Sequence, residues 1–305
     1  MGDQFWWFYD VAAAAVVLVC IFLSGRKGIT RALTSLVGCI LAFAIALTVS
    51  GSISRSIYKT TIKDSNSKKL AHALEGKDFT QDMKVYLESL GYNIKVDYKK
   101  LNEILSSGED INNKLFVYVN SVNGKPVDDE DGFYEKLYEG EGEIISGYVT
   151  EELSKFAGAT AKKNIKKNPE TIDQFAPLMQ IFDDPNEEFP MTKAGKFISN
   201  HYISSAYITL VRLIAFIILV FLVVLITWFV FKSFLDDDSG YQGIFSHTVG
   251  GFLGIVNGAV YVCVVAAMIR LYVVLGSNEM LFFNHSAINK TYIFKYFYKF
   301  ITSTM

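Results

Sequence analysis

The chain has 305 residues, of which 51% are hydrophobic, 14% aromatic and 20% charged, with a formal net charge of −2. Its mean hydropathy is +0.27, whereas a soluble domain usually carries about 25% charged residues and a negative mean. This balance excludes a nucleic-acid binder recruited by global charge, a secreted disulfide scaffold and a chain built around one water-soluble core.

The apolar excess is collected in residues 5–24, 33–50, 213–231 and 250–269. At about 1.5 Å rise per residue, each block is long enough to cross a hydrocarbon core of about 30 Å. Between the two pairs lies an insert, residues 51–205, with 20 Lys or Arg and 25 Asp or Glu; the rest of the chain holds 9 and 6. The expected fold is mainly α: a four-transmembrane-helix module with a mostly helical extracytoplasmic insert. Its expected segments are a first membrane half at 1–50, the insert at 51–205, a second half at 206–276 and an interfacial aromatic tail at 277–305.

The first block has Asp3 but no Lys or Arg ahead of it, so it reads as a retained anchor rather than a signal peptide with a basic leader. Arg26, Lys27 and Arg31, with Gly28, form a short basic turn between the first two blocks. The positive-inside rule places that turn in the cytoplasm, and the insert and both termini outside. The 232–249 connection, with Lys232 against Asp236, Asp237 and Asp238, is then inside as well.

Small residues stand four apart at Gly38, Ala42 and Ala46 in the second block and at Gly250, Gly254 and Gly258 in the fourth. Such faces let helix backbones approach closely, which predicts contact between these two spans. Asp10, Arg212 and Arg270 are ionisable groups inside the apolar blocks, each about 8 Å from the outer boundary at the helical rise. An unpaired charge there costs about 3 kcal/mol on insertion scales. Pairing Asp10 with either arginine is the expected remedy, through a staple at the outer rim or a polar vestibule.

Within the insert, Asp97 is a candidate helix cap before Leu101 and Leu105, and residues 115–122 fit strand or helix. Residues 144–156 carry the helical period through Ile145, Val149, Leu153 and Phe156. Asn168 and Pro169 form a helix start ahead of Ile172, Phe175, Leu178, Met179 and Phe182, with a kink expected at Pro177. No proline separates Thr192 from the third span, so one long helix is expected to join them.

The acidic run Asp128, Asp129, Glu130, Asp131 fails the calcium-loop pattern, because aligning Gly132 to the required turn puts Val127 and Tyr138 at ligand positions. Lys162, Lys163, Lys166 and Lys167 share a helical face that is usually a solvated one. Cys20, Cys39 and Cys263 lie in the apolar blocks, and His72, His201, His247 and His285 stand singly. No catalytic motif, metal set or cofactor site is expected. The aromatic tail at 291–301 is expected to lie flat on the outer leaflet or to pack as a helix against the insert.

Asp10, followed eighteen residues later by Gly28-Ile29-Thr30-Arg31-Ala32-Leu33-Thr34-Ser35-Leu36, resembles the amino-terminal signature of the colicin V production protein (CvpA) family. Ser246-His247-Thr248-Val249-Gly250, then Gly254 and Asn257-Gly258, is similar to its second signature. The family usually has Asp-Arg before the first of these glycines and Arg before the last, so this chain departs at Ser246, His247 and Asn257. The resemblance covers roughly residues 5–50 and 206–276. It implies an integral protein of the bacterial cytoplasmic membrane linked to production or export of a peptide toxin. Related modules also anchor extracytoplasmic proteases. The expected role is a scaffold or accessory factor, in contact with the lipid bilayer and with an envelope or secretion protein that binds the insert. The alternative is a homo-oligomeric channel or transporter.

Overall fold

The structure, a computed structural model, describes residues 5–180, 191–235 (side chains to 230), 243–276 and 284–305. Phe182, the Lys232 side chain and Asp236 to Asp238 lie outside the described residues. All regular elements among the described residues are helical. The chain divides into two compact units, Met1–Ile57 with Ile208–Met305, and Tyr58–Tyr207.

In the first unit, α1 (Trp6–Ile57) contains a break at Gly28, whose backbone stands at φ 75, ψ 173. This region is open essentially to glycine alone. Two further long helices follow, α10 (Ser204–Leu235) and α11 (Ile244–Leu275), then the short α12 (His285–Asn289) and α13 (Phe294–Thr304). Among the described residues three helices are long and apolar enough to cross a membrane, spanning Trp6–Leu74, Ser204–Val230 and Ile244–Leu275. Their outward faces expose large apolar side chains, among them Leu18, Phe22, Leu41, Phe221, Trp228 and Phe252. Water penalises such faces by about 25 cal/mol per Å², and a bilayer removes that penalty.

The core of this unit is built from Tyr9, Ala46, Leu213, Phe216, Val262 and Ala266, with Phe294, Tyr298 and Ile301 of α13 inserted among them. Phe294 stacks on Tyr9 at 5.4 Å between ring centroids. One apolar face of the aromatic tail is buried against α1 and α11. Its first turn also has a binding partner on α1, described below.

The second unit contains α2 (Lys63–Leu74), α3 (Phe79–Ser89), α4 (Tyr98–Ser106), α5 (Ile111–Asn123), α6 (Glu130–Glu152), α7 (Lys155–Lys167), α8 (Ile172–Leu178) and α9 (Thr192–Phe197). Short polar side chains start these helices by accepting otherwise unpaired first-turn N–H groups. Asp78 accepts from Gln81, Asp97 from Lys100, Asp129 from Gly132 and Ser154 from Ala157. The ambiguous 115–122 stretch lies in α5, and the 144–156 period is divided by the Ser154 cap between α6 and α7. The Asn168 side chain does not cap the first turn, its carbonyl accepting Thr171 N–H instead, and Pro169 opens a 3-10 turn ahead of α8. Leu70, Phe79, Met83, Leu87, Leu101, Leu115, Phe133, Leu137 and Phe175 form the fully buried centre, each contributing about 1.5–3 kcal/mol of transfer free energy.

The uninterrupted helix expected from Thr192 onward is not formed. A π-helical turn, Ile198–Tyr202, follows α9, and the helix is interrupted at Ile203 before α10 begins. A matching π turn, Tyr58–Ile62, precedes α2. The two turns are joined by the buried Tyr58 hydroxyl, which donates to the Ser199 carbonyl, while Ser199 Oγ donates to Lys63 O at 3.3 Å. Extra residues in a helical turn do not disturb apolar periodicity enough to be seen in sequence.

Candidate functional site

Asp10 is held on the first turns of α1, where its carboxylate meets the start of α13. It accepts the backbone N–H of Tyr292 through Oδ2 at 2.7 Å, and those of Ile293 and Phe294 through Oδ1 at 3.0 and 2.8 Å. Thr291 Oγ1 accepts the next donor, Lys295 N, at 2.8 Å. Asp10 thus caps a helix more than 280 positions away in the chain, satisfying donors that a helix start leaves unpaired and complementing its positive dipole end. This is the correction to the expected ion pair: among the described residues no salt bridge joins Asp10 to Arg212 or Arg270.

Both arginines are half-buried. Arg212 Nε and Arg270 Nε and Nη1 are enclosed without a hydrogen-bond acceptor. The Arg212 guanidinium lies over Gly51, where an added Cβ would stand 3.6 Å from Cζ. The structure gives Asp10 to a different task from charge pairing with the arginines.

At the Gly28 break, helix hydrogen bonding is interrupted and backbone groups need outside partners. Ser246 Oγ accepts Ile29 N–H at 2.9 Å, and His247 Nδ1–H donates to Gly25 O at 2.7 Å. Ser246 and His247, two of the three departures from the family pattern, are thus ties between α11 and the turn. The third, Asn257, is buried with its Oδ1 unpartnered. Beside these ties an open groove of about 630 Å³ is lined by Ile21, Phe22, Gly25, Arg26, His247 and Phe252. Arg26 leans over the Phe22 ring at 5.5 Å.

The α11 glycines pack against residues 17–25 rather than against Gly38, Ala42 and Ala46. A Cβ added at Gly250 would stand 2.7 Å from Ser24 O, at Gly254 2.6 Å from Cys20 O, and at Gly258 2.8 Å from Val17 Cα. These are backbone contacts that only glycine permits. Gly38 instead faces Thr227 of α10, with its Cβ position 3.2 Å from Oγ1. Ala42 and Ala46 are fully buried. Spacing marks a face as small; it does not say which partner seats on it.

In the insert, Lys162 pairs with Glu139 and Glu143, and Lys166 with Glu139, so half of the basic face is neutralised within the unit. Asp128 pairs with Lys136 at 2.6 Å, and Asp129 serves as the α6 cap. One group escaped the sequence reading. Glu141 is 0% exposed and neither carboxylate oxygen has a partner. Burial, reinforced by the nearby Asp173 charge, pushes its carboxyl well above the usual carboxylate range. The signal was present: Phe133, Leu137, Glu141 and Ile145 are spaced by four, an acid in an otherwise apolar stripe.

Comparison of the chain with protein-family models, with curated proteins and with solved structures found no match.

Proposed function

We propose that the chain is an integral membrane scaffold of four spans, related to the CvpA family, that serves envelope processes such as toxin production or export. In this reading the Gly28 break is the cytoplasmic turn between two spans, flanked by Arg26, Lys27 and Arg31. The insert and both termini are outside, at the bacterial cytoplasmic membrane, and residues 51–205 dock an envelope or secretion protein.

One observation carries the reading: several polar and small groups of the apolar helices, Asp10 and the α11 glycines among them, are engaged in joining helices to one another. Asp10 caps α13, Ser246 and His247 tie the turn, and the α11 glycines close on backbone. A transport site places such groups around a path near mid-membrane. The insert adds a separate hydrophobic core, the expected build of a docking domain.

Mild crosslinking in native membranes, followed by affinity purification and mass spectrometry, tests the proposal. A stoichiometric partner attached through the insert is the expected product. Recovery of the chain crosslinked only to itself would replace the scaffold with the homo-oligomeric channel or transporter, to be tested by flux in liposomes.

A further inference from the structure

The part of α1 ahead of the Gly28 break runs antiparallel to α11, with Ser24, Cys20 and Val17 facing Gly250, Gly254 and Gly258 in turn. The groove of about 630 Å³ lies along this seam, within the range of about 300–1,000 Å³ that small-molecule sites occupy. Its floor is glycine. A Cβ added at Gly251 meets nothing nearer than the Ile21 side chain at 3.7 Å, and one at Gly25 stands 3.4 Å from His247 O. Polarity changes along the groove: Arg26 and His247 stand at the end next to the break, and Ile21 and Ile255 line the other, with the exposed rings of Phe22 and Phe252 beside them. At the helical rise, Ile21 is about 7.5 Å along the axis from Arg26. The Arg26 guanidinium is exposed, leans over the Phe22 ring and pairs with no carboxylate among the described residues. None of the described residues lining the groove is acidic.

We propose that this groove binds one anionic phospholipid, its phosphate on Arg26 and the first methylenes of an acyl chain over Ile21 and Ile255. The guanidinium fork matches phosphate oxygens, and a basic pocket between apolar helices suits a lipid headgroup. A soluble anion leaves the apolar length of the groove unfilled, and a neutral lipid leaves Arg26 without a counter-charge, so neither complements both ends. The inference rests on the membrane reading of the apolar helices and not on the scaffold role. It is measured without a protein partner, so its failure and that of the scaffold are told apart.

The full chain, stripped of lipid in detergent, is titrated with phosphatidylglycerol, with diacylglycerol of the same chains and with inorganic phosphate, and bound lipid is read by native mass spectrometry. Phosphatidylglycerol is expected to bind about tenfold or more tightly than diacylglycerol, and Arg26→Gln to remove that preference. Lys27→Gln, which changes an exposed neighbour outside the groove lining, is expected to leave it in place. Gly251→Leu projects a side chain into the groove and is expected to weaken phosphatidylglycerol binding about tenfold, by occupying the space an acyl chain needs. If that variant does not fold, the comparison of Arg26→Gln with Lys27→Gln carries the test. Equal binding of diacylglycerol, equal losses in Arg26→Gln and Lys27→Gln, full binding in a folded Gly251→Leu, or displacement of the lipid by an equal concentration of inorganic phosphate overturns the site.

Discussion

Asp10 accepts the Phe294 backbone N–H at 2.8 Å, and with Tyr292 and Ile293 it gathers the start of α13 into one carboxylate. A charged acceptor serving several amides contributes more than a neutral cap, so Asp10→Ala is expected to destabilise the first unit by about 1–3 kcal/mol. Asp10→Asn keeps Oδ1 for Ile293 and Phe294 but turns an N–H₂ toward Tyr292, so its loss is smaller. Limited proteolysis in detergent checks this: cleavage within residues 284–305 should accelerate in the order wild type, Asn, Ala. Equal rates in all three would show that α13 is held by its apolar face alone.

The α11 glycines support a comparison within one helix. Gly254→Ala places a methyl 2.6 Å from Cys20 O, whereas Gly251→Ala meets nothing nearer than the Ile21 side chain at 3.7 Å. Overpacking against backbone costs about 1–3 kcal/mol, because backbone does not step aside. Thermal unfolding in detergent is expected to show a clear loss for Gly254→Ala and none for Gly251→Ala. Helix propensity favours alanine equally at both positions, so it does not produce that difference.

These two cases show what the sequence carries and what it withholds. Apolar block length, the Asp97 cap and the helical period of the insert were legible because each is a local property of a few consecutive residues. The partner of Asp10 was not legible. Charge arithmetic looks for an opposite side-chain charge, and a row of backbone N–H groups in a distant segment has no signature in composition. Likewise, the small face of residues 38–46 and the glycines of α11 looked complementary, but which helices face each other follows from the Gly28 break, whose geometry no residue count supplies. The π turns at Tyr58–Ile62 and Ile198–Tyr202 add a residue per turn without changing the apolar pattern.

Gly28 is the pivot of that arrangement. At φ 75, ψ 173 a Cβ is strained, at a cost of about 1–3 kcal/mol. Gly28→Ala is expected to lower the yield of folded protein in membranes, while Ser246→Ala, which removes the acceptor for Ile29 N–H, costs about 1 kcal/mol. If α1 turns at Gly28 as proposed, the alanine variant should also alter labelling of engineered cysteines at positions 27 and 31 by a membrane-impermeant thiol reagent. Unchanged labelling and yield would mean that the break is not needed for the turn.

Glu141 gives the insert a defined pH response. Its carboxyl titrates well above the usual range when folded, through burial first and the Asp173 charge second, and near the ordinary glutamate value of 4.5 when unfolded. The folded state therefore binds the proton more tightly. The associated stability is fully present below pH 4.5 and is lost progressively as pH rises toward the folded value. Glu141→Gln removes this dependence, so the variant should gain on the wild type from about pH 5 to neutrality and lose that advantage in acid. All three tryptophans, Trp6, Trp7 and Trp228, lie outside the insert, so fluorescence does not report on it. Hydrogen exchange of the α6 amides does: in the wild type, protection corrected for intrinsic exchange should fall between pH 5 and 7, and in Glu141→Gln it should stay level. Parallel profiles would show that Glu141 is not the source of the pH response.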